Sequence, residues 1–254
     1  MMKLCKLLCA FTASLAMICA AIPAAQAAQP TDNVIRVGTD ATFPPMEFVK
    51  DGKRTGFDVE LMEALVKTMG KKIQWVDIDF KGLIPGLISN RFDIAASAIY
   101  MTDERRKVVA FSDPYYRGGL AVLVRRDDSS IKVPEDLNKG KRVSVQVGTK
   151  SVGYLRDNFP GVERVEVEKN QAMFDLLATG RVNAVVTGRP AAVEYARTQP
   201  LVRVLDKGLT TELYGFAMRK DDTALAEQLN KALQTLRING TYTALTNKWF
   251  GKSE

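Results

Sequence analysis

The sequence predicts an α/β protein of two similar lobes, each a mostly parallel sheet flanked by helices, joined by two crossover strands. Three observations lead there. Strand-like and helix-like segments alternate along the chain, the pattern of parallel sheets with helices on their faces. The two halves also echo one another. Leu87-Ile88-Ser89-Asn90-Arg91-Phe92-Asp93-Ile94-Ala95 parallels Leu177-Ala178-Thr179-Gly180-Arg181-Val182-Asn183-Ala184-Val185, each stretch closing a helix, turning before an Arg and entering a strand. Val37-Gly38-Thr39 and Val147-Gly148-Thr149 form a second echo at the ends of the two opening strands. Finally, Leu120–Val124 and Tyr214–Met218 are continuous β-rich stretches placed to cross between the lobes.

In order, Val34–Val37 is an apolar strand and Asp58–Met69 a helix with apolar residues at Val59, Met62, Leu65, Val66 and Met69. Ile73–Val76 is strand, Leu83–Ile88 helix and Asp93–Ala96 strand. The second half repeats the rhythm: strand at Arg142–Val145, helix near Ser151–Asn158, strand at Arg164–Val167, helix over Gln171–Ala178 and strand at Ala184–Val186. Helices at Leu225–Leu236 and Tyr242–Trp249 close the chain. The expected division is a leader over 1–27, lobe one over 28–124, an inserted lobe two over 125–212, and a return to lobe one over 213–254. Two short connections between lobes permit hinge closure over a ligand.

The leader rests on Lys3 and Lys6, an apolar stretch from Leu7 to about Ile22, and the small-x-small signal Ala25-Gln26-Ala27. Cleavage after Ala27 is expected, with Ala28 a close alternative. Cys5, Cys9 and Cys19, the chain's three cysteines, all lie in this segment, so the mature protein has no thiolate or disulfide chemistry. No later apolar run approaches the roughly 20 residues of a membrane span. Export to a bacterial periplasm is expected. The formal charge is +7, two units of it in the leader, and the basic residues are scattered without interleaved aromatics. That argues against nucleic-acid binding. The sequence contains no histidine, which removes the commonest general base and the commonest metal ligand together. No metal or organic cofactor is implied.

The stretch from Asp93 to Arg105 carries the most chemistry. Its strand stops at Ser97. Thr102 then reads as a helix N-cap, with Asp103 and Glu104 suited to the positive end of the helix dipole. Arg105 falls in that first turn, where a guanidinium fork and free N–H groups suit the two oxygens of a carboxylate. A solvated arginine after an ordinary strand–loop–helix connection is the plainer alternative. Open α/β sheets bind ligands beyond the carboxyl ends of their strands. Two facing lobes would therefore make a cleft lined by Asp40, Ser97, Thr149 and the region around Gly188.

Gly56-Phe57-Asp58-Val59-Glu60-Leu61, V-G-T-D-A-T-F-P-P from Val37, F-S-D-P-Y-Y from Phe111, R-K-D-D from Arg219 and N-G-T-Y from Asn239 stand together in one chain. In these the chain resembles the extracellular solute-binding proteins of ABC importers for polar amino acids, which have the type II periplasmic binding fold. The resemblance runs in order through the whole mature chain. It implies that Arg105 forks onto a ligand carboxylate, helped by backbone N–H groups in the run Ser97, Ala98, Ile99 and by Thr149 from the other lobe. It further implies that Phe43 and Phe80 sandwich the ligand, with plain core packing as their rival role. Asp40 is implied to reach the polar end of the ligand side chain, its rival role being a turn cap. The helix at Asp58–Met69 is expected to be structural, with Val59, Met62 and Leu65 buried.

Three departures bear on specificity. Tyr100 stands where many members carry a small Ser or Thr. Gln146 and Lys150 add polarity and a positive charge on lobe two. Gly188, followed by Arg189, replaces the aspartate that usually pairs with a ligand's α-ammonium. Either another acid compensates, Asp40 or Glu212 being the candidates, or the ligand is a carboxylate without a free α-ammonium. Alternative functions are a cyclohexadienyl dehydratase-like periplasmic enzyme, with Asp40, Glu47, Glu212 or a tyrosine as acid or base, and a ligand-delivery subunit for a sensory receptor. The leading expectation is a non-enzymatic, monomeric binding protein that delivers a small carboxylate, an amino acid or derivative, to an inner-membrane permease.

Overall fold

A computed structural model describes residues 33–251; the expected leader lies outside the described residues. Two five-stranded sheets form the frame. In the first, Lys72–Asp77, Val34–Thr39 and Ile94–Ala95 run parallel, and Ala217–Arg219 lies antiparallel between Ile94–Ala95 and Val109–Phe111. In the second, Glu163–Val167, Arg142–Gln146 and Ala184–Gly188 run parallel, and Leu120–Arg125 lies antiparallel between Ala184–Gly188 and Val202–Val204. The two sheets therefore share one topology. In each, the fourth strand enters from the other lobe.

The echo at Leu87–Ala95 and Leu177–Val185 has a physical basis. Asp93 Oδ2 accepts the backbone N–H of Arg36 at 2.9 Å, and Asn183 Oδ1 accepts that of Arg142 at 2.9 Å. The two arginines also donate from Nη1 to the carbonyls of Arg91 and Arg181. Val37 pairs with Ile94, and Val143 with Ala184. These registers make Arg36 equivalent to Arg142 and Asp40 equivalent to Gln146. The Val-Gly-Thr echo is thereby corrected: Val147-Gly148-Thr149 lies beyond the end of its strand, four residues past the true counterpart of Val37-Gly38-Thr39.

The crossover expected at Leu120–Val124 is also displaced, because that stretch is buried within the second sheet. The lobes are joined instead by an antiparallel ribbon of Tyr116–Gly118 with Glu212–Tyr214. Lobe two thus begins just after Gly118 rather than at Arg125. Gly119 is required where the two connections touch, since a Cβ there would lie 2.0 Å from the Thr210 carbonyl oxygen. Elements beyond those expected include the edge strands Val109–Phe111 and Val202–Val204, a small antiparallel sheet of Thr42–Phe43, Glu47–Lys50 and Lys53–Thr55, and the Arg189–Thr198 helix with proline in its first turn. The helix Phe57–Thr68 buries Val59, Leu61, Met62, Leu65 and Val66 in lobe one. Thr223–Ile238 and Thr241–Phe250 pack beside it. None of the helices among the described residues is long and apolar enough to cross a membrane.

Candidate functional site

The strand ends of the two lobes meet around a cavity of about 30 Å³, room for little more than a water. Asp40, Phe43, Glu47, Phe80, Ser97, Ala98 and Tyr100 line it from lobe one. Gln146, Thr149, Lys150, Asn170 and Gly188 line it from lobe two, and Tyr214 of the hinge ribbon forms a further wall. The lobes are shut on one another, so admitting an amino-acid-sized molecule requires them to part.

Asp40 is buried and fully engaged. Its Oδ1 accepts from Thr42 Oγ1 and from Lys169 Nζ, both at 3.1 Å. Its Oδ2 accepts from the Phe80 N–H at 3.1 Å and from Gln146 Nε2 at 2.8 Å. Asp40 is thus both a cap for the loop before Phe80 and a cross-lobe tie. Around it, Asn170 Nδ2 donates to Gln146 Oε1, and Lys169 also pairs with Asp79 at 2.7 Å. Nearer the rim, Lys81 pairs with Glu168 at 2.7 Å.

Behind this surface lie two buried acids. Ser97 Oγ accepts the Asp40 N–H at 3.1 Å and donates to Glu47 Oε1 at 2.8 Å, while Glu47 Oε2 has no partner. Asp58, from the helix expected to be purely structural, accepts the Ala98 N–H and the Tyr115 hydroxyl, each at 2.7 Å. This bond holds Ala98 in a left-handed conformation, φ 45°, uncommon for a residue with a side chain. Burial, reinforced by the neighbouring Asp58 charge, raises Glu47 well above the usual carboxylate range. Burial likewise raises Asp58, to about 7. Glu47 favours the neutral form, and Asp58 does so below about pH 7.

Arg105 lies beside the cavity rather than in its wall. Thr102 Oγ1 accepts the Arg105 N–H, as the N-cap reading predicts. The half-buried guanidinium sits 5.4 Å over the Phe80 ring and donates to the Tyr100 carbonyl at 3.0 Å and, across the lobes, to the Gly148 carbonyl at 3.2 Å. Burial lowers its pKa to about 10, which leaves it charged at neutral pH. It faces a groove shared with Thr149 and Lys150, which also line the cavity. Thr149 caps the helix Lys150–Asn158 by backbone position alone, because its hydroxyl donates to the Gln146 carbonyl instead. Lys150 is paired with Glu212 at 2.6 Å. Ile99 is not brought to the cavity; its side chain packs in the lobe-one core with Leu83, Leu87 and Phe92.

Gly188 is a steric requirement. A Cβ there would lie 2.8 Å from Tyr214 Oη, 2.9 Å from Phe43 Cζ and 3.3 Å from Tyr100 Oη. The two tyrosine rings stack at 4.6 Å and 11°, with a hydroxyl–hydroxyl bond of 3.1 Å. Tyr100 and Tyr214 thus occupy the volume an acidic side chain at 188 would need. Sequence reasoning missed Tyr214, Asn170 and Lys169 as parts of the site, and named Glu47 only as a possible catalytic acid. Glu47 opens a strand and Asn170 opens a helix; both are buried polar residues, and each keeps one oxygen without a partner.

Comparison with known proteins places this geometry. The model of the bacterial extracellular solute-binding proteins, family 3, matches residues 35–252. The chain is 34% identical to ABC transporter arginine-binding protein 1 of Escherichia coli (strain K12), over 85% of this chain and 90% of that one. It is 34% identical to the L-cystine-binding protein TcyJ of the same organism, over 85% and 82% respectively. Among solved structures, an ancestral arginine-binding protein bound to glutamine superposes with a TM-score of 0.83 at 40% identity, covering 87% of this chain and 99% of the other. Matched by the family model over nearly all its described length, the chain belongs to family 3 of the bacterial extracellular solute-binding proteins.

Proposed function

We propose that the protein is the solute-capturing component of an ABC importer, working in the periplasm as a monomer after loss of its leader. Its lobes close on a small carboxylate that lacks a free α-ammonium. The observation that carries the ligand class is Gly188, walled in by Tyr100, Tyr214 and Phe43. An ammonium beside it would need another counter-charge. Asp40 is saturated by its four donors, Glu212 is paired with Lys150, and burial favours neutral Glu47. A buried ammonium without a partner is disfavoured by roughly several kcal/mol. An N-acylated or deaminated relative of an amino acid avoids that cost and can hydrogen-bond to the free oxygens of Glu47 and Asn170.

In this reading Arg105 exchanges the Tyr100 and Gly148 carbonyls for the ligand's carboxylate, and the open N-terminus of Lys150–Asn158 supports the same charge from lobe two. Phe43 and Phe80 cover the ligand's apolar body. Closure is a population shift: a ligand favours the shut form only by contacts which that form alone completes. The named relatives are binding proteins, and delivery without turnover is proposed here too; a dehydratase-like reaction would have Glu47 as its acid.

The test is a thermal-shift and calorimetric screen of the refolded mature protein against free amino acids, their N-acyl derivatives and their deaminated acids. A ligand at about 100 times its dissociation constant stabilises by roughly 2.7 kcal/mol. The expected hits lack a free α-ammonium and are recovered chemically unchanged. Tight binding of free amino acids alone would overturn the ligand class, and consumption of the ligand would overturn the absence of catalysis.

A further inference from the structure

Lys169 reaches from the loop after the Glu163–Val167 strand, across the cleft, to lobe one. Its Nζ lies 3.1 Å from Asp40 Oδ1 and 2.7 Å from Asp79 Oδ1. Asp40 is 3% exposed and lines the cavity, so it is the acid a ligand's side chain would meet. An ionised carboxylate offers about four acceptor positions. Here four protein donors use them: Thr42 Oγ1, Lys169 Nζ, the Phe80 N–H and Gln146 Nε2. One of these is already a full positive charge.

We infer that Lys169 is a specificity residue: from the groove on the outer side of Asp40, which it lines with Thr42 and Asp79, its ammonium already meets the charge of the acid that faces the cavity, so the site selects neutral side chains and rejects guanidinium and ammonium groups. An incoming cation would meet an Asp40 whose charge is already answered from its outer side and would stand near Lys169 as a like charge. Arg105 adds positive charge beside the same cleft. A neutral amide or urea instead needs only an ordinary hydrogen bond, which Glu47 Oε2 and Asn170 Oδ1 leave available. Lys169 is itself half-exposed and packs into no core, so its charge can be removed without opening a cavity.

This inference rests on the carboxylate reading of the site, and the experiment separates the two. The probes are 5-guanidinopentanoate and 5-ureidopentanoate, matched in length and shape, one cationic and one neutral at the far end. Affinities are measured by calorimetry for the wild-type protein and for Lys169→Met. Both acids require the same lobe closure, so their affinity ratio cancels any effect of the substitution on the hinge. Wild type is expected to favour the ureido acid by at least about tenfold, and Lys169→Met to shift the ratio at least tenfold toward the guanidino acid, which then faces an Asp40 without its lysine counter-charge. An unchanged ratio in Lys169→Met, or equal wild-type affinities, overturns the role of Lys169. Should neither protein take either acid, the same two proteins are titrated with L-arginine and L-citrulline. A tenfold shift in that ratio upholds Lys169 while the α-ammonium reading fails. No binding in either pair overturns both.

Discussion

Gln146 donates its side-chain amide to Asp40 Oδ2 at 2.8 Å, and the two residues occupy equivalent places, one just past and one at the end of the first parallel strand of each lobe. An internal symmetry of the fold thus meets itself across the cleft as a donor and an acceptor. Removing the amide leaves a buried carboxylate with one donor fewer. Hydrogen bonds to charged groups contribute about 1.5–3 kcal/mol. Gln146→Ala should therefore weaken ligand binding by about 10- to 100-fold and enlarge the radius of gyration of the unliganded protein in X-ray scattering. Removing Lys81 from its exposed pair with Glu168 should change neither quantity measurably.

Arg105→Ala should abolish measurable binding with little change in melting temperature. The guanidinium bonds only two carbonyls and a ring face, so its loss leaves no buried charge orphaned in the free protein. In the complex the ligand's carboxylate would lose its partner, a truncation costing about 2–5 kcal/mol or more. Affinity retained in Arg105→Ala would refute its place in the site.

Gly188→Ala should destabilise by overpacking, about 1–3 kcal/mol, because the new methyl meets Tyr214, Phe43 and Tyr100. The double variant Gly188→Asp with Tyr100→Thr removes one of the two obstructing phenols, giving Tyr214 room to yield, and supplies the missing acid. It should gain binding of free α-amino acids in the thermal-shift screen, whereas Gly188→Asp alone should not. Equal gains from the single and double variants would show that the tyrosine does not guard the position.

The two buried acids give stability a definite pH slope. Asp58, raised to about 7 in the folded chain, binds a proton that the unfolded chain has lost above about 4. The native state therefore holds more protons across that window, and stability falls as pH rises from about 4 through 7, with Glu47 adding in the same direction. No histidine titrates there to mask the effect. At the acid end, Arg36 holds Asp93 low against the pull of partial burial, so stability is lost again as pH falls below about 4. Melting curves from pH 3 to 8 should peak on the acid side of neutrality, and Asp58→Asn should flatten the limb between 5 and 7. An unaltered slope in that variant would place the titration elsewhere.

Much of the frame was legible in the sequence because it is local. Alternation fixes the elements, and the Leu87–Ala95 echo reports a repeated Arg-to-strand clasp. The Val-Gly-Thr echo misled because three common residues matched by composition while the equivalent positions, Arg36-Val37 and Arg142-Val143, stood four residues away. The hinge was misplaced because a buried central strand and a crossover look alike in an apolar run. Beside the cavity, the Thr102 cap and the place of Arg105 in the first turn were readable from that turn of helix alone. The occupation of Asp40 by Lys169 was not, since a contact between residues 129 apart leaves no periodic trace.

Tyr214 belongs to the ribbon that joins the lobes and also walls the cavity. The pivot and the chamber are therefore one piece of machinery. A guest that pressed the Tyr100–Tyr214 stack would press on the joint itself, so the bulk of what fills the chamber and the set of the hinge are coupled through a single side chain.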